Sequence, residues 1–195
     1  KVRVSKKGLS VRQKSLIMVA VSVLFTLYYL YFAPQQPFFL LPFSRAPIAI
    51  TGFWKIAYGV FVVLYLFFVT NAVNITDGVD GLCASVTTIA GIGLAGACTY
   101  LAVRFASQPG ISSLSKQSLL IGASDNTRSA ALLAAAVAGG CLGFFIFNRH
   151  PAKVFMGDTG SQALGAAVAG IALIVGAPWL VLFFEIGRAS CRERV

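Results

Sequence analysis

Acid is scarce in this sequence. Six of its 195 residues are Asp or Glu against sixteen Lys or Arg, and charged residues of both signs make up only 11%. Soluble domains carry about a quarter charged residues, so an ordinary water-facing surface is excluded. Histidine occurs once, at His150, and cysteine four times. The cysteines form no CxxC pair, and Cys83, Cys98 and Cys141 lie in apolar segments where a thiol behaves as a small hydrophobe. With Cys191 they supply neither a disulfide framework nor a zinc site. No long basic face is present either. Six of the basic residues (Lys1, Arg3, Lys6, Lys7, Arg12 and Lys14) crowd the first fourteen positions, directly before an apolar run. That placement argues against nucleic-acid binding and fits a cytoplasmic segment flanking a membrane. No small-residue cleavage site follows, so a signal peptide is not expected there.

Apolar residues are what the chain has in abundance, at 57% with a mean hydropathy of +0.82. A spanning helix needs about 20 mostly apolar residues, and five segments are predicted to supply one: 15–32, 52–70, 82–103, 130–147 and 163–184. The expected fold is all-α, a polytopic helical membrane protein. If the basic start is cytoplasmic, alternation puts 33–47 outside, 71–81 inside, 104–129 outside and 148–162 inside. Arg149 and Lys153 on an inner loop agree with the charge rule; Arg104, Lys116 and Arg128 on an outer one oppose it. The end, RASCRERV, clusters Arg188, Arg192 and Arg194 on the outer side and breaks in composition from what precedes it. Residues 1–187 are therefore expected to form the membrane domain, and 188–195 a non-native tail.

Two short stretches carry the chemistry. In NAVNITDGVDG, residues 71–81, Asn71, Asn74, Asp77 and Asp80 recur every three residues, which on a helical turn forms one polar stripe. Gly78 and Gly81 beside the acids permit close backbone approach. A polar loop with a helix cap has the same composition, but ionisable groups at a span end commonly mark a functional site. In HPAKVFMGDTGSQALG, residues 150–165, Asp158 lies between Gly157 and Gly160, and Thr159 and Ser161 are candidate caps for a helix expected near Gln162. A helix N-terminus suits phosphate, and a carboxylate there is a simple cap or, with a divalent ion, a metal ligand. Lys153 is either a phosphate-binding cation or a flanking charge. Phe155 by itself reads as packing, and His150 as an interfacial residue without a role.

Both stretches resemble the signatures of the phospho-N-acetylmuramoyl-pentapeptide transferases, within the polyprenyl-phosphate N-acetylhexosamine-1-phosphate transferase superfamily, and the resemblance covers about residues 1–187. Ile75, Val79 and Gln162 stand where that family usually has Leu. The resemblance implies transfer of a phospho-sugar from UDP-N-acetylmuramoyl-pentapeptide to undecaprenyl phosphate, giving lipid I and UMP. It implies Mg²⁺ held by Asp158, and Asp77 and Asp80 as catalytic residues lining the diphosphate site. Asn71, Asn74, Gly78 and Lys153 would bind substrate, and Phe155 would stack on uracil. It implies a multi-pass protein of the bacterial cytoplasmic (inner) membrane with its site on the cytoplasmic face, in contact with membrane lipid and without nucleic acid, and leaves a homodimer open. The family's DDxxK motif and His-rich loop are absent, so a fragment of a ten-span protein is expected, lacking the general base. The alternatives are a sister transferase using UDP-N-acetylglucosamine and, in another class, a transporter.

Overall fold

The computed structural model describes residues 10–33, 37–42, 47–107 and 114–181. The predicted tail 188–195, the end of the span predicted at 163–184, and Lys1, Arg3, Lys6, Lys7 and Cys191 lie outside them. Among the described residues five α-helices follow one another: α1 (Val11–Leu27), α2 (Trp54–Thr76), α3 (Leu82–Ala106), α4 (Leu114–Asn148) and α5 (Gly157–Ile174). A π-helical turn, Tyr28–Phe32, extends α1. Between α1 and α2 a two-residue antiparallel ribbon pairs β1 (Phe38–Phe39) with β2 (Ile48–Ala49), Phe38 opposite Ala49.

The α1 start is fixed locally. Ser10 and Gln13 form a reciprocal cap, the Ser10 N–H donating to Gln13 Oε1 (2.9 Å) and the Gln13 N–H to Ser10 Oγ (3.3 Å), which satisfies two otherwise orphan donors. Four segments among the described residues are long and apolar enough to cross a membrane: Arg12–Phe32, Trp54–Thr76, Leu82–Ala106 and Leu120–Asn148. The chain is a polytopic helical membrane protein.

Several expected boundaries move. Of the stretch predicted as the loop 71–81, Asn71–Thr76 forms the end of α2. The predicted outer loop 104–129 is mostly helix, because α3 runs to Ala106 and α4 starts at Leu114. Two of its buried hydroxyls are tolerated because they find carbonyls: Ser124 donates to Ala102 on α3 (3.3 Å), and Thr127 to Ala123 on its own helix. The helix predicted to begin near Gln162 begins instead at Gly157, and neither Thr159 nor Ser161 caps it. The span predicted at 163–184 is interrupted, since α5 ends at Ile174 and the chain turns at Gly176, before Pro178.

In packing, α3 lies along α4, α2 along α5, and α1 against α2. The core collects Val62, Leu66, Val69 and Val73 from α2, Leu94 and Cys98 from α3, Ala130 and Ala134 from α4, and Val168, Ile171 and Ala172 from α5. Small residues dominate the α4 contribution, as in helix pairs that associate within lipid. Many other large apolar side chains face outward, Leu132 and Ile89 among them. One end of the bundle is tied by the ribbon: the Leu40 N–H donates to the Gly176 carbonyl (2.7 Å), the Trp179 indole to the Leu40 carbonyl (2.7 Å), and Phe38 meets Phe105 edge to face. The other end gathers the α1 start, the α2–α3 turn and the α4–α5 loop.

Candidate active site at one end of the bundle

Chain direction alone brings the two acidic stretches together: α2 and α4 finish where α1, α3 and α5 begin. Asp77 is the C-cap of α2, with its N–H donating to the Asn74 carbonyl (3.2 Å). Asp158 lies in the first turn of α5. The two positions differ electrostatically. A carboxylate is stabilised at a helix N-terminus and destabilised at a C-terminus, so Asp158 is favoured by its helix and Asp77 is not. Burial first, and then the Asp158 charge, push the Asp77 carboxyl above the usual carboxylate range. Lys14, one turn into α1, forms an ion pair with Asp158 Oδ2, both side chains remaining partly exposed.

Asp80 is held differently. Its Oδ2 accepts the Ala152 N–H (3.2 Å) and lies 3.2 Å from His150 Nδ1. Beside it the Gly81 N–H donates to Asn148 Oδ1 (3.1 Å), while Asn148 Nδ2 donates to the Val154 carbonyl (2.8 Å). Asn148 is buried, and both ends of its amide bind backbone of the two motifs. Gly81 has φ +74°, and a Cβ there would come within 3.0 Å of the Phe145 ring, so both conformation and space call for glycine.

The remaining predicted residues divide. Asn74 Oδ1 accepts from the Ser161 hydroxyl (2.7 Å), joining α2 to α5. Asn71 turns back instead, donating from Nδ2 to the Phe67 carbonyl (2.8 Å). The stripe predicted through Asp80 thus ends with α2: Asp80 lies beyond the helix, in the turn that also holds the exposed Gly78. Lys153 is exposed and linked to the α4 end through its backbone N–H to the Phe147 carbonyl (2.9 Å). Phe155 is 72% exposed, which leaves a ring face open to a planar ligand. Lys14, Asn148 and Ser161 were missed as site residues by sequence reasoning, and His150 was assigned no role. Their partners lie 144, 67, 87 and 70 residues away, beyond any local pattern, although Lys14 was visible as the last cation before the first span.

No group of three or more His, Cys, Asp or Glu that could hold a metal ion occurs among the described residues. Mg²⁺, however, is usually held by one or two carboxylates together with substrate phosphates and water. Asp158 and Asp77, within electrostatic reach of each other, fit that donor set. Next to them an apolar cavity of about 270 Å³ opens between α1, α2 and α5, lined by Ile17, Met18, Ser22, Thr70 and Gln162 among others. Gln162 therefore faces this cavity, one turn along α5 from Asp158.

The sequence profile described as "Glycosyl transferase family 4" matches residues 6–176. The chain belongs to that family. It is 35% identical over 179 residues to a protein of Listeria innocua named phospho-N-acetylmuramoyl-pentapeptide-transferase, covering 92% of this chain and 46% of that relative. Proteins of the same name from Gloeothece citriformis and Chloroherpeton thalassium are 38% and 40% identical over 176 residues, covering 90% and 87% of this chain. The chain spans less than half the length of these relatives.

Proposed function

We propose that the gene product carrying this chain transfers phospho-N-acetylmuramoyl-pentapeptide from its UDP derivative to undecaprenyl phosphate, forming lipid I and UMP on the cytoplasmic face of the bacterial inner membrane. The observation that carries the proposal is the convergence of Asp77, Asp158, Lys14 and Asn74 on helix ends at one end of the bundle. In the reaction an acceptor phosphate oxygen attacks the sugar-bearing phosphorus of the donor. A new P–O–P linkage forms, the old one breaks, and UMP leaves. Both reactants are anionic, so the barrier is largely electrostatic.

The chain's own groups meet that requirement. The α5 N-terminus offers backbone N–H donors and a positive dipole end to diphosphate oxygens. The Lys14 ammonium, held at Asp158, is placed to pair with a substrate phosphate. Asp158 and Asp77 would hold Mg²⁺, and the chemistry such an ion supplies is neutralisation of diphosphate charge. Asp80, fixed by Ala152 and His150, keeps the α2–α3 turn against the α4–α5 loop. The exposed Phe155 ring suits stacking on uracil, and the apolar cavity beside Lys14 and Gln162 suits the chain of a lipid acceptor. The names of the relatives support the donor assignment over a UDP-N-acetylglucosamine enzyme.

The test is UMP release by the gene product in membranes. Asp158→Asn is expected to abolish Mg²⁺-dependent release, by more than about a hundredfold, as for removal of a principal electrostatic group, while the protein still inserts. Turnover near the wild-type rate would overturn the metal assignment. A panel of UDP-sugars then separates the two donors.

A further inference from the structure

Ser161 is fully buried on α5, three residues beyond Asp158. Its hydroxyl has three acceptors in reach: Asn74 Oδ1 at 2.7 Å, the Asp158 carbonyl at 3.2 Å and the Gly157 carbonyl at 3.3 Å. It has one proton to donate. The shortest contact is the one that crosses to α2, and the helix spacing there is tightly set. One turn along α5, a Cβ on Gly165 would lie 2.8 Å from the Thr70 Cα, so the two backbones are already in contact and Ser161 has little freedom to withdraw.

An amide that accepts at its oxygen has its nitrogen on the other branch of the same plane. Among the described residues Asn74 Nδ2 makes no hydrogen bond. Asn71, one turn earlier, shows the alternative, its Nδ2 turned back to the carbonyl four residues before it. The terminal torsion of an Asn is broad and sets no preference between such states. We propose that Ser161 is a positioning residue: its hydroxyl holds the Asn74 amide so that the two Nδ2–H donors face the oxygen atoms of a nucleotide-sugar donor. Two neutral donors three residues before Asp77 serve where carboxylates would repel an anionic ligand. The inference rests on the transferase function proposed above.

The experiment measures UMP release by the gene product with UDP-N-acetylmuramoyl-pentapeptide as the varied substrate. Ser161→Ala removes the hydroxyl and keeps the volume. It is expected to raise KM for the donor about tenfold, the effect of losing one oriented hydrogen bond, with kcat changed much less. Asn74→Ala should raise it at least as far, and the double variant no further than Asn74→Ala alone, since Ser161 acts through Asn74. Ser161→Cys, with a weaker donor, should fall between wild type and Ser161→Ala, and it provides the reading if Ser161→Ala does not accumulate. Leu94→Ala, in the core away from the site, should lower Tm and leave donor KM unchanged, which separates positioning from stability. A wild-type KM in Ser161→Ala or Ser161→Cys, or additive effects in the double variant, would overturn the inference alone. Wild-type protein inactive with every UDP-sugar would overturn the proposed function and this inference with it.

Discussion

Asp77 is the least comfortable carboxyl in the site. It caps the negative end of α2, is half-buried, and faces the charge of Asp158. Its folded-state pKa is raised, so the folded chain binds that proton more tightly than the unfolded chain. The associated stability is fully present below the unfolded pKa and is lost as pH rises through the raised folded value. Above that value the cost persists until a cation arrives. Asp158→Asn removes the repulsion but not the desolvation, so the Asp77 midpoint should fall without returning to the ordinary range. Infrared titration of the carboxyl stretch, assigned by its loss in Asp77→Asn, measures this. An unmoved midpoint would show that Asp158 does not act on Asp77. The two acids were legible because they stand out in an acid-poor chain. The role of Ser161 was not, because its hydroxyl matches a cap pattern in sequence and crosses to another helix in the fold.

Helix ends, rather than helix interiors, determine what this site looks like. The first four spans were legible from apolar runs, since 15–32, 52–70, 82–103 and 130–147 each fall largely within a helix. The α4 start was not, because Ser124 and Thr127 satisfy their hydroxyls on carbonyls and let a polar segment stay helical. At 35 residues α4 is about 52 Å long, well beyond the ~30 Å hydrocarbon core. The α1 end makes a testable case. Ser10→Ala removes half of a reciprocal cap and should lower stability by about 1 kcal/mol, read as a small fall in Tm in detergent; an unchanged Tm would mean the cap contributes nothing. Gly165→Ala tests the α2–α5 contact. Its Cβ would meet Thr70 backbone at 2.8 Å, which cannot give way as a side-chain tip can. A loss of about 1–3 kcal/mol is expected, as for overpacking. Because Ser161 lies one turn away, donor KM should rise with it. A stable variant with normal KM would mean that the two helices separate more easily than their contact implies.

Across the whole molecule, small residues predominate in the α3–α4 interior and many large apolar ones face outward, the arrangement expected when the surrounding solvent is lipid. Function then depends on which end of the bundle faces the cytoplasm. Lys14, Arg149 and Lys153 lie at the site end, beside Asp77 and Asp158, and cations near short span ends favour the cytoplasmic side. Lys55, Arg104, Lys116 and Arg128 lie toward the opposite end, within α2, α3 and α4, and weaken the charge difference. The acids decide nothing here, since Asp and Glu contribute little to orientation. Single cysteines placed in a cysteine-free version of the gene product can separate the two orientations. Val79→Cys, in the exposed α2–α3 turn, and Leu41→Cys, exposed at the ribbon end, mark the two faces. A membrane-impermeant maleimide should label position 79 in inverted vesicles and position 41 in right-side-out spheroplasts. The reverse pattern would place Asp77 and Asp158 away from any cytoplasmic nucleotide-sugar, and the proposed transfer would fail on access alone, whatever the geometry of the site.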